Sequence, residues 1–362
     1  MKVNEMRRDY LLDRWAVIAT ERKKRPTDFA KPREVTKPAM CPFEPGNEDK
    51  TPKAELVYLR GKDGKVKKAK DKDGFRHKDW LIRCFPNLFP AFMPPPEGAK
   101  RVKVKENSYL YDAVGAHEVI VESPRHDEHP GVAELEQLGL VVDAYLDRLK
   151  TLSKKPYVKY VSIFRNHGVE AGASLSHAHS QVIAMPFVPL TLREELKASK
   201  RFWQSKHECA FCNILKREKK SPRFIWENDE FSVFAPWASV NPLEFWVLPR
   251  RHQASPLEMN KKAREDLAVT LRVCLGGLYS LLNDPPYNYG FHIAPDADAD
   301  KFYHWHIEVY PKLAIWAGFE KSTGIYINTV PPEDAAASLR EASEKEEKAL
   351  MPDFLCVCSH TS

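Results

Sequence analysis

Two periods of hydrophobicity alternate along this 362-residue chain. Alternation with a period of two marks SLSHAHSQVIAMP (174–186) as a strand, with small and β-prone flanks. Its pleat sends Leu175, His177, His179, Gln181 and Ile183 to one face, and Ser176, Ala178 and Ser180 to the other. Three polar side chains therefore share a face where an ordinary strand buries apolar ones. The plain alternative is the polar outer face of an edge strand. A helical period follows in GVAELEQLGLVVDAYLDRLKTL, where Leu135, Leu138, Val142, Tyr145 and Leu149 fall on one stripe, and again where Leu267, Leu271, Cys274 and Leu278 do so. Each helix leads into a strand, YVKYVSIFRN or YNYGFHIAP, and then into a His-x-His strand, SHAHSQVIAMP or YHWHIEVYP.

That order makes the chain a tandem repeat. HEVIVESPRHDEHP (117–130) and EFWVLPRRHQASP (244–256) occupy matching places ahead of the two helices. His126 precedes His177 by 51 residues, and His252 precedes His304 by 52. CPFEPGN (41–47) matches CAFCNIL (209–215), and WLIRCFPNLFPAF (80–92) matches RFIWENDEFSVFAPWAS (223–239). The expected fold is α+β: two copies of one unit, each with mainly antiparallel strands and one long helix. Residues 1–195 form the first copy, 196–350 the second, and 351–362 a flexible tail with an isolated Cys-x-Cys-x-His. The junction is expected in the charged stretch near 190–205.

Composition narrows the class. An apolar content of 43% with 29% charged residues describes a globular chain with material for a sizeable core. The first residues hold no apolar leader segment and no later stretch is long enough for a bilayer, so a cytoplasmic protein without a membrane partner is expected. A net charge of +6 suits anionic substrates and is too small to argue for nucleic acid. Part of it sits in GKDGKVKKAKDKDG (61–74), expected as a solvated hairpin tip or insertion, with a basic binding arm as the alternative. The seven cysteines include Cys209-Ala-Phe-Cys212, a spacing that suits metal or free thiols better than a disulfide framework.

The repeat supplies one candidate metal set per copy. Cys209, Cys212, His252 and His304 offer two sulfurs and two imidazoles, a donor set suited to zinc in a closed tetrahedron. The competing reading makes the cysteines reduced core thiols and His252 a surface residue. Cys41, Glu44, His126 and His177 form the first set, with a glutamate in place of the second cysteine, so it is either a weaker zinc site or an empty one held by packing. If His177 serves the metal, His179 is left over one pleat away, a candidate nucleophile or base, with Gln181 beyond it as a neutral donor for an anionic oxygen. Asn166, Gly172 and Ser174 lie in a glycine-containing segment where backbone N–H groups can approach a phosphate, although such a segment is usually only a turn. Arg22 and Arg25 can pair with phosphate oxygens or belong to a solvated basic loop.

Asn-x-Gly, Gly-x-Ser and His-x-His-x-Gln together resemble the active-site strand of the galactose-1-phosphate uridylyltransferases, a nucleotidyltransferase branch of the histidine-triad superfamily. The resemblance runs over nearly the whole chain, through RRDYLLDRWAVIATERKKRP, CPFEPGN, FPNLFPA, SHAHSQ, HWHIEVYP and GFEKSTGIYINTVPPEDAA. It implies two histidine-triad-like repeats per subunit, a homodimer, zinc, and ping-pong transfer of a nucleoside monophosphate through a covalent histidine. Carried over by position, His179 is the nucleophile and Gln181 contacts the transferred phosphoryl group. Arg22, Arg25, Asn166 and Ser174 are phosphate-side contacts. Phe43, Phe85, Asn87, Phe89 and Val119 hold base and ribose; Cys41, His126 and His177 ligate the first zinc; and Gly318, Phe319 and Glu320 hold the hexose phosphate. Departures are Glu44 for a cysteine, Leu88 for an aspartate found in some members, and Ala178 for a proline. The expected reaction is uridylyl transfer between UDP-glucose and galactose 1-phosphate. The alternative is adenylyl transfer, with ADP-glucose and phosphate, because SHAHSQ and GIYINTVPPED also resemble plant-type ADP-glucose phosphorylases. A zinc-stabilised nucleic-acid-binding protein would leave His179 and Gln181 unexplained, and a triad hydrolase typically carries a third histidine where Gln181 stands.

Overall fold

The computed structural model describes residues 4–19, 24–30, 40–96 and 112–350. Arg22 and the expected tail, 351–362, lie outside the described residues. Near the N-terminus, β1 (Glu5–Arg8) and β2 (Trp15–Ile18) form a hairpin. The first half continues with β3 (Leu56–Arg60), β4 (Val66–Ala69), β5 (Trp80–Pro86), β6 (Ala116–Val121), α1 (Leu135–Leu152), β7 (Tyr160–His167) and β8 (His179–Met185). After α2 (Leu190–Lys206) and α3 (Ala210–Glu218), the second half runs through β9 (Phe224–Glu227), β10 (Phe231–Phe234), β11 (Phe245–Pro249), α4 (Lys261–Leu282), β12 (Tyr287–His292) and β13 (His306–Pro311). It closes with α5 (Gly318–Thr323), β14 (Ile325–Asn328) and α6 (Pro332–Leu350).

Among the described residues, eleven strands form one sheet in the order β4-β3-β5-β6-β8-β7-β12-β13-β11-β10-β9. Read outward from the centre, β7-β8-β6-β5-β3 and β12-β13-β11-β10-β9 are the two copies in the same sequence of roles. They meet where β7 and β12 pair antiparallel, Tyr287 opposite His167 and Gly290 opposite Phe164. The helical stripes read from the sequence are the core: Leu138, Val142, Tyr145 and Leu149 of α1 and Leu267, Leu271, Cys274 and Leu278 of α4 are buried in one cluster shared by both halves. Burying each leucine contributes roughly 1.5–3 kcal/mol. The stretch 61–74 holds the turn and outer strand β4 of a hairpin on β3, exposed along most of its length.

Three local features depart from the sequence pattern or go beyond it. The strand expected from residue 174 starts at His179, because the preceding loop turns through Gly168 and Gly172, with φ of +82° and +87°. A Cβ on Gly168 would lie 2.8 Å from Pro286 Cβ, so both backbone angle and space call for glycine there. The charged junction is the 17-residue helix α2, which buries Leu192, Glu195, Ala198 and Ser199. The Cys-x-x-Cys is helical too, with Cys209 at the N-cap of α3 and Cys212 in its first turn. Its counterpart at 41–47 is a turn, since Pro42, Pro45 and Gly46 (φ +94°) suit turns and disfavour a helix interior.

The β1–β2 hairpin crosses to the second half. β2 pairs parallel with β14, and Arg7 lies over the Trp237 ring at 4.1 Å while bonding Glu333. No helix among the described residues is long and apolar enough to cross a membrane.

Candidate active site and metal centres

Strand register separates a packing face from a chemical one. Antiparallel pairing of β6 with β8 sets Val121 opposite His179, Val119 opposite Gln181 and His117 opposite Ile183, so these six side chains share one face. Ile120, Val182 and Ala184 point the other way, into the cluster beneath α1. Below His179 on that packing side lies a buried polar network. Arg165 pairs with Glu122 and donates to the His179 carbonyl at 3.2 Å, and Glu122 also takes Ser180 and Tyr145. Removing one partner of such a buried ion pair costs about 3–5 kcal/mol. The backbone that carries His179 is therefore held from behind.

His179 Nδ1 donates to the His177 carbonyl at 2.8 Å, which leaves Nε2 as the bare nitrogen. Nε2 has no hydrogen-bond partner among the described residues. Burial holds the His179 pKa below the usual histidine range, and nearby Arg165 acts the same way, so the ring is unprotonated at Nε2 near neutrality. Phe43 packs edge-on against His179 with centroids 5.4 Å apart, and against Phe85 at 5.6 Å. Phe85 and Val119 form an apolar floor together with Val57, Trp80 and Val121. An uncharged, unpartnered ring nitrogen beside an apolar patch is the result.

Gln181 Oε1 lies 2.7 Å from His117 Nε2, a contact absent from the sequence reading. Asn87 Oδ1 accepts from Phe89 N–H at 2.9 Å and thereby shapes the turn after β5, where Phe89 is 85% exposed. Asn166 Oδ1 accepts from Asn288 Nδ2, which also donates to the Ala171 carbonyl and so ties the glycine loop to β12. Gly172 approaches Asn166, and Ser174 is exposed on the same loop. Arg25 is exposed at the start of a 3-10 turn, its backbone N–H bonded to Asp28. Gly318, Phe319 and Glu320 form the first turn of α5, which packs on β14 in the smaller sheet, and Glu320 Oε2 accepts from Ala317 N–H. The structure thus gathers His179, Gln181, Phe43, Phe85 and Val119 on one surface, and places the α5 residues on a different sheet.

Both expected metal sets assemble. Ligand atoms of Cys209, Cys212, His252 and His304 lie within 4.8 Å of one another, as do those of Cys41, Glu44, His126 and His177. Tetrahedral zinc puts sulfur and nitrogen ligands about 3.6 Å apart. Cys212 Sγ is 3.4 Å from His252 Nδ1 and 3.6 Å from His304 Nδ1, so this set fits. The neighbouring Cys209 thiol and the two imidazoles hold Cys212 below the usual thiol range, while Cys212 and burial push Cys209 up. In the first set Cys41 Sγ to His177 Nδ1 is 3.7 Å, which fits, but Glu44 Oε1 closes to 2.6 Å on His126 Nδ1, a direct hydrogen bond shorter than two ligands of one ion allow. The far nitrogens of three of these histidines face oxygens: His177 Nε2 the Ser123 carbonyl, His126 Nε2 the Ser176 hydroxyl, and His252 Nε2 the Asp300 carbonyl.

The second half repeats the geometry and closes it. His306 Nδ1 contacts the His304 carbonyl at 3.1 Å, as His179 does His177. Glu308 stands where Gln181 does, and Phe211 packs on His306 at 4.6 Å as Phe43 does on His179. Here α2 and α3 cover the face: His306 is fully buried, and Glu195 of α2 reaches His292 at 3.0 Å and Tyr303 at 2.8 Å. Among the described residues His179 is the less enclosed of the two, 6% exposed against none for His306.

Comparison with known proteins agrees with this architecture. The family model "Galactose-1-phosphate uridyl transferase, N-terminal domain" matches residues 1–189, and "Domain of unknown function (DUF4921)" matches 107–354. An ADP-glucose phosphorylase from Arabidopsis thaliana is 32% identical over 94% of this chain and 93% of its own. A galactose-1-phosphate uridylyltransferase from Thermotoga maritima is 29% identical over 93% and 98%. Among solved structures, the Arabidopsis ADP-glucose phosphorylase with bound ADP-glucose superposes with a TM-score of 0.77 at 28% identity, covering 94% of this chain and 99% of that one. With a family model over its first half and a relative above 30% identity along almost its full length, the chain belongs to the galactose-1-phosphate uridylyltransferase family.

Proposed function

We propose that this protein is a hexose-1-phosphate nucleotidyltransferase that works by two displacements at His179. The observation that carries the reading is the bare Nε2 of a buried His179 whose Nδ1 is tied to the His177 carbonyl. In the first step the Nε2 lone pair forms a bond to the α-phosphorus of a nucleotide sugar. The bond from that phosphorus to the bridging oxygen breaks, and hexose 1-phosphate leaves with the electron pair. Nδ1 keeps its hydrogen, so the cationic ring of the adduct rests on the His177 carbonyl and no proton has to leave. In the second step an acceptor phosphate oxygen attacks the same phosphorus, the N–P bond breaks, and the ring returns to its starting state. Gln181 donates to a phosphoryl oxygen, Phe43, Phe85 and Val119 receive the nucleoside, and Asn166, Gly172 and Ser174 border the phosphates. The first turn of α5 and its Glu320 remain the candidate hexose-phosphate contact, and a homodimer remains the expected assembly.

ADP-glucose is the donor best supported, by the 32% identical phosphorylase and by its ADP-glucose-bound structure. UDP-glucose with galactose 1-phosphate is the second reading, favoured by the family model and the Thermotoga relative. Zinc suits the Cys209, Cys212, His252 and His304 set, where it would pin α3, the turn after β11 and the segment before β13. To test the reaction, the protein is incubated with α-labelled ADP-glucose or UDP-glucose without acceptor. An acid-labile adduct on His179 from one donor is expected; no adduct from either, or an adduct on another residue, overturns the proposal.

A further inference from the structure

We propose that His117 is a positioning residue that decides which end of the Gln181 amide faces the transferred phosphoryl group. The inference rests on the roles given above to His179 and Gln181. A glutamine is useful beside a phosphate only one way round: its NH₂ donates to phosphoryl oxygens, whereas its carbonyl oxygen repels them. The two orientations differ by a half-turn of a terminal amide, and nothing in Gln181 itself chooses between them.

The neighbouring strand makes the choice. His117 lies on β6, diagonal to Gln181 across the β6–β8 pair, since Val119 is opposite Gln181 and His117 opposite Ile183. Its ring is nearly buried and meets a polar group at each nitrogen. On one side the Ala91 backbone N–H points at Nδ1 from 3.1 Å. A backbone amide can only donate, so Nδ1 accepts and carries no hydrogen. The ring hydrogen is therefore on Nε2, 2.7 Å from Gln181 Oε1, and it donates there. With Oε1 engaged, the Gln181 NH₂ is the end left for the face it shares with His179. A flipped amide would set NH₂ against the His117 N–H, donor against donor.

The loop that reads the ring is itself fixed. Asn87 N–H donates to the His117 carbonyl at 2.8 Å, and Asn87 Oδ1 accepts from Phe89 N–H, which holds the turn that delivers Ala91. Asn87 Nδ2, 3.3 Å from His117 Nε2, is itself a donor and cannot take the ring hydrogen, so Gln181 Oε1 at 2.7 Å is its acceptor. The order of control runs from the Ala91 amide through His117 to Gln181, and from there to substrate. The second half lacks the device: Glu308 replaces Gln181, and a carboxylate has no donor end to orient.

Two measurements test this. Nitrogen-15 NMR of the imidazoles, with His117 assigned by its loss in His117→Phe, reports the tautomer without any turnover. Hydrogen on Nε2 is expected; hydrogen on Nδ1 overturns the relay. The rate of nucleotidyl-enzyme formation is then read in a double-mutant cycle. His117→Phe should slow that step roughly 10- to 100-fold, less than the roughly 10²–10³ for removing a preorganised donor outright because Gln181 itself remains, with KM for the nucleotide sugar changed less than about threefold. In a Gln181→Ala background the same substitution should cost almost nothing more, because the group it orients is gone. His117→Gln, which can accept with oxygen and donate with nitrogen, should recover part of the rate. An equal cost in both backgrounds would mean a merely structural role and overturns the proposal. A wild type that forms no adduct with either nucleotide sugar overturns the catalytic reading and the role of His117 with it, and the tautomer separates that failure from a wrong relay.

Discussion

His177 and His179 differ by two positions, yet their rings face different surroundings. His177 turns Nδ1 toward Cys41 and offers its carbonyl to His179, whose Nε2 is left bare. His179→Ala is therefore expected to abolish the adduct and exchange of label between nucleotide sugar and sugar phosphate, while the fold stays intact by circular dichroism. His177→Ala should retain measurable exchange and lose stability; full exchange loss only at His177 would reverse the assignment. A second residue-scale outcome concerns His292. Burial pushes its pKa down, but Glu195 from α2 and Glu308 from β13 outweigh this and raise it to about 9, with Arg14 opposing and the tilted His306 ring packed alongside. Because the folded value lies above the unfolded one, this histidine contributes stability in full below about pH 6.5. That contribution is lost as pH rises through about 9. Its NMR titration and the urea midpoint between pH 7 and 10 check it, and a His292 that titrates near 6.5 sinks it. The pleat and the repeat made His179 and Gln181 legible in the sequence. His292 and His306 were not, since a buried Glu195 reads as surface charge by hydropathy.

Strands and helices whose period is long were read well, as the buried stripes of α1 and α4 show. What escaped depends on contacts between elements. The diagonal from His117 to Gln181 needs the β6–β8 register, which no single strand encodes, and α2 was hidden because a polar helix and a charged linker have similar composition. Glycines make an element-scale test of how tight those contacts are. At Gly115, just ahead of β6, a Cβ would lie 2.0 Å from the Ala184 carbonyl oxygen on β8. At Gly139, inside α1, a Cβ meets nothing within 4 Å. Gly115→Ala should thus destabilise by about 1–3 kcal/mol through overpacking, whereas Gly139→Ala should stabilise by about 0.5–1 kcal/mol through helix propensity. Denaturant midpoints at constant m-value decide it; equal effects of one sign would contradict the β6–β8 packing.

For the whole molecule, duplication followed by divergence explains why one sheet carries two histidine sites with different cover. The second half spends its histidine face on burying α2 and α3, and its two-cysteine set joins α3 to the strands. The first half has no counterpart of α2 over His179 among the described residues, and its own set is loosened by Glu44. Metal should follow the same asymmetry. Two thiolates hold a borderline-soft ion more firmly than one thiolate and a carboxylate, and binding energy at a closed set adds to folding energy. Zinc measured by elemental analysis should survive a mild chelator at the Cys209 set and be lost from the Cys41 set. Cys209→Ser should lower both zinc content and the thermal midpoint, because it opens the junction of α3 with the segment that leads into β13. Glu44→Cys should do the reverse at the first set, raising retention there without changing the second. A wild type with no zinc, or a Cys209→Ser protein that keeps its full complement and midpoint, contradicts this account. Adduct formation on His179 should outlast loss of the first ion in part, since the carbonyl that holds Nδ1 belongs to the backbone, which the Ala178–His126 and Glu122–Ala178 hydrogen bonds keep in place without metal.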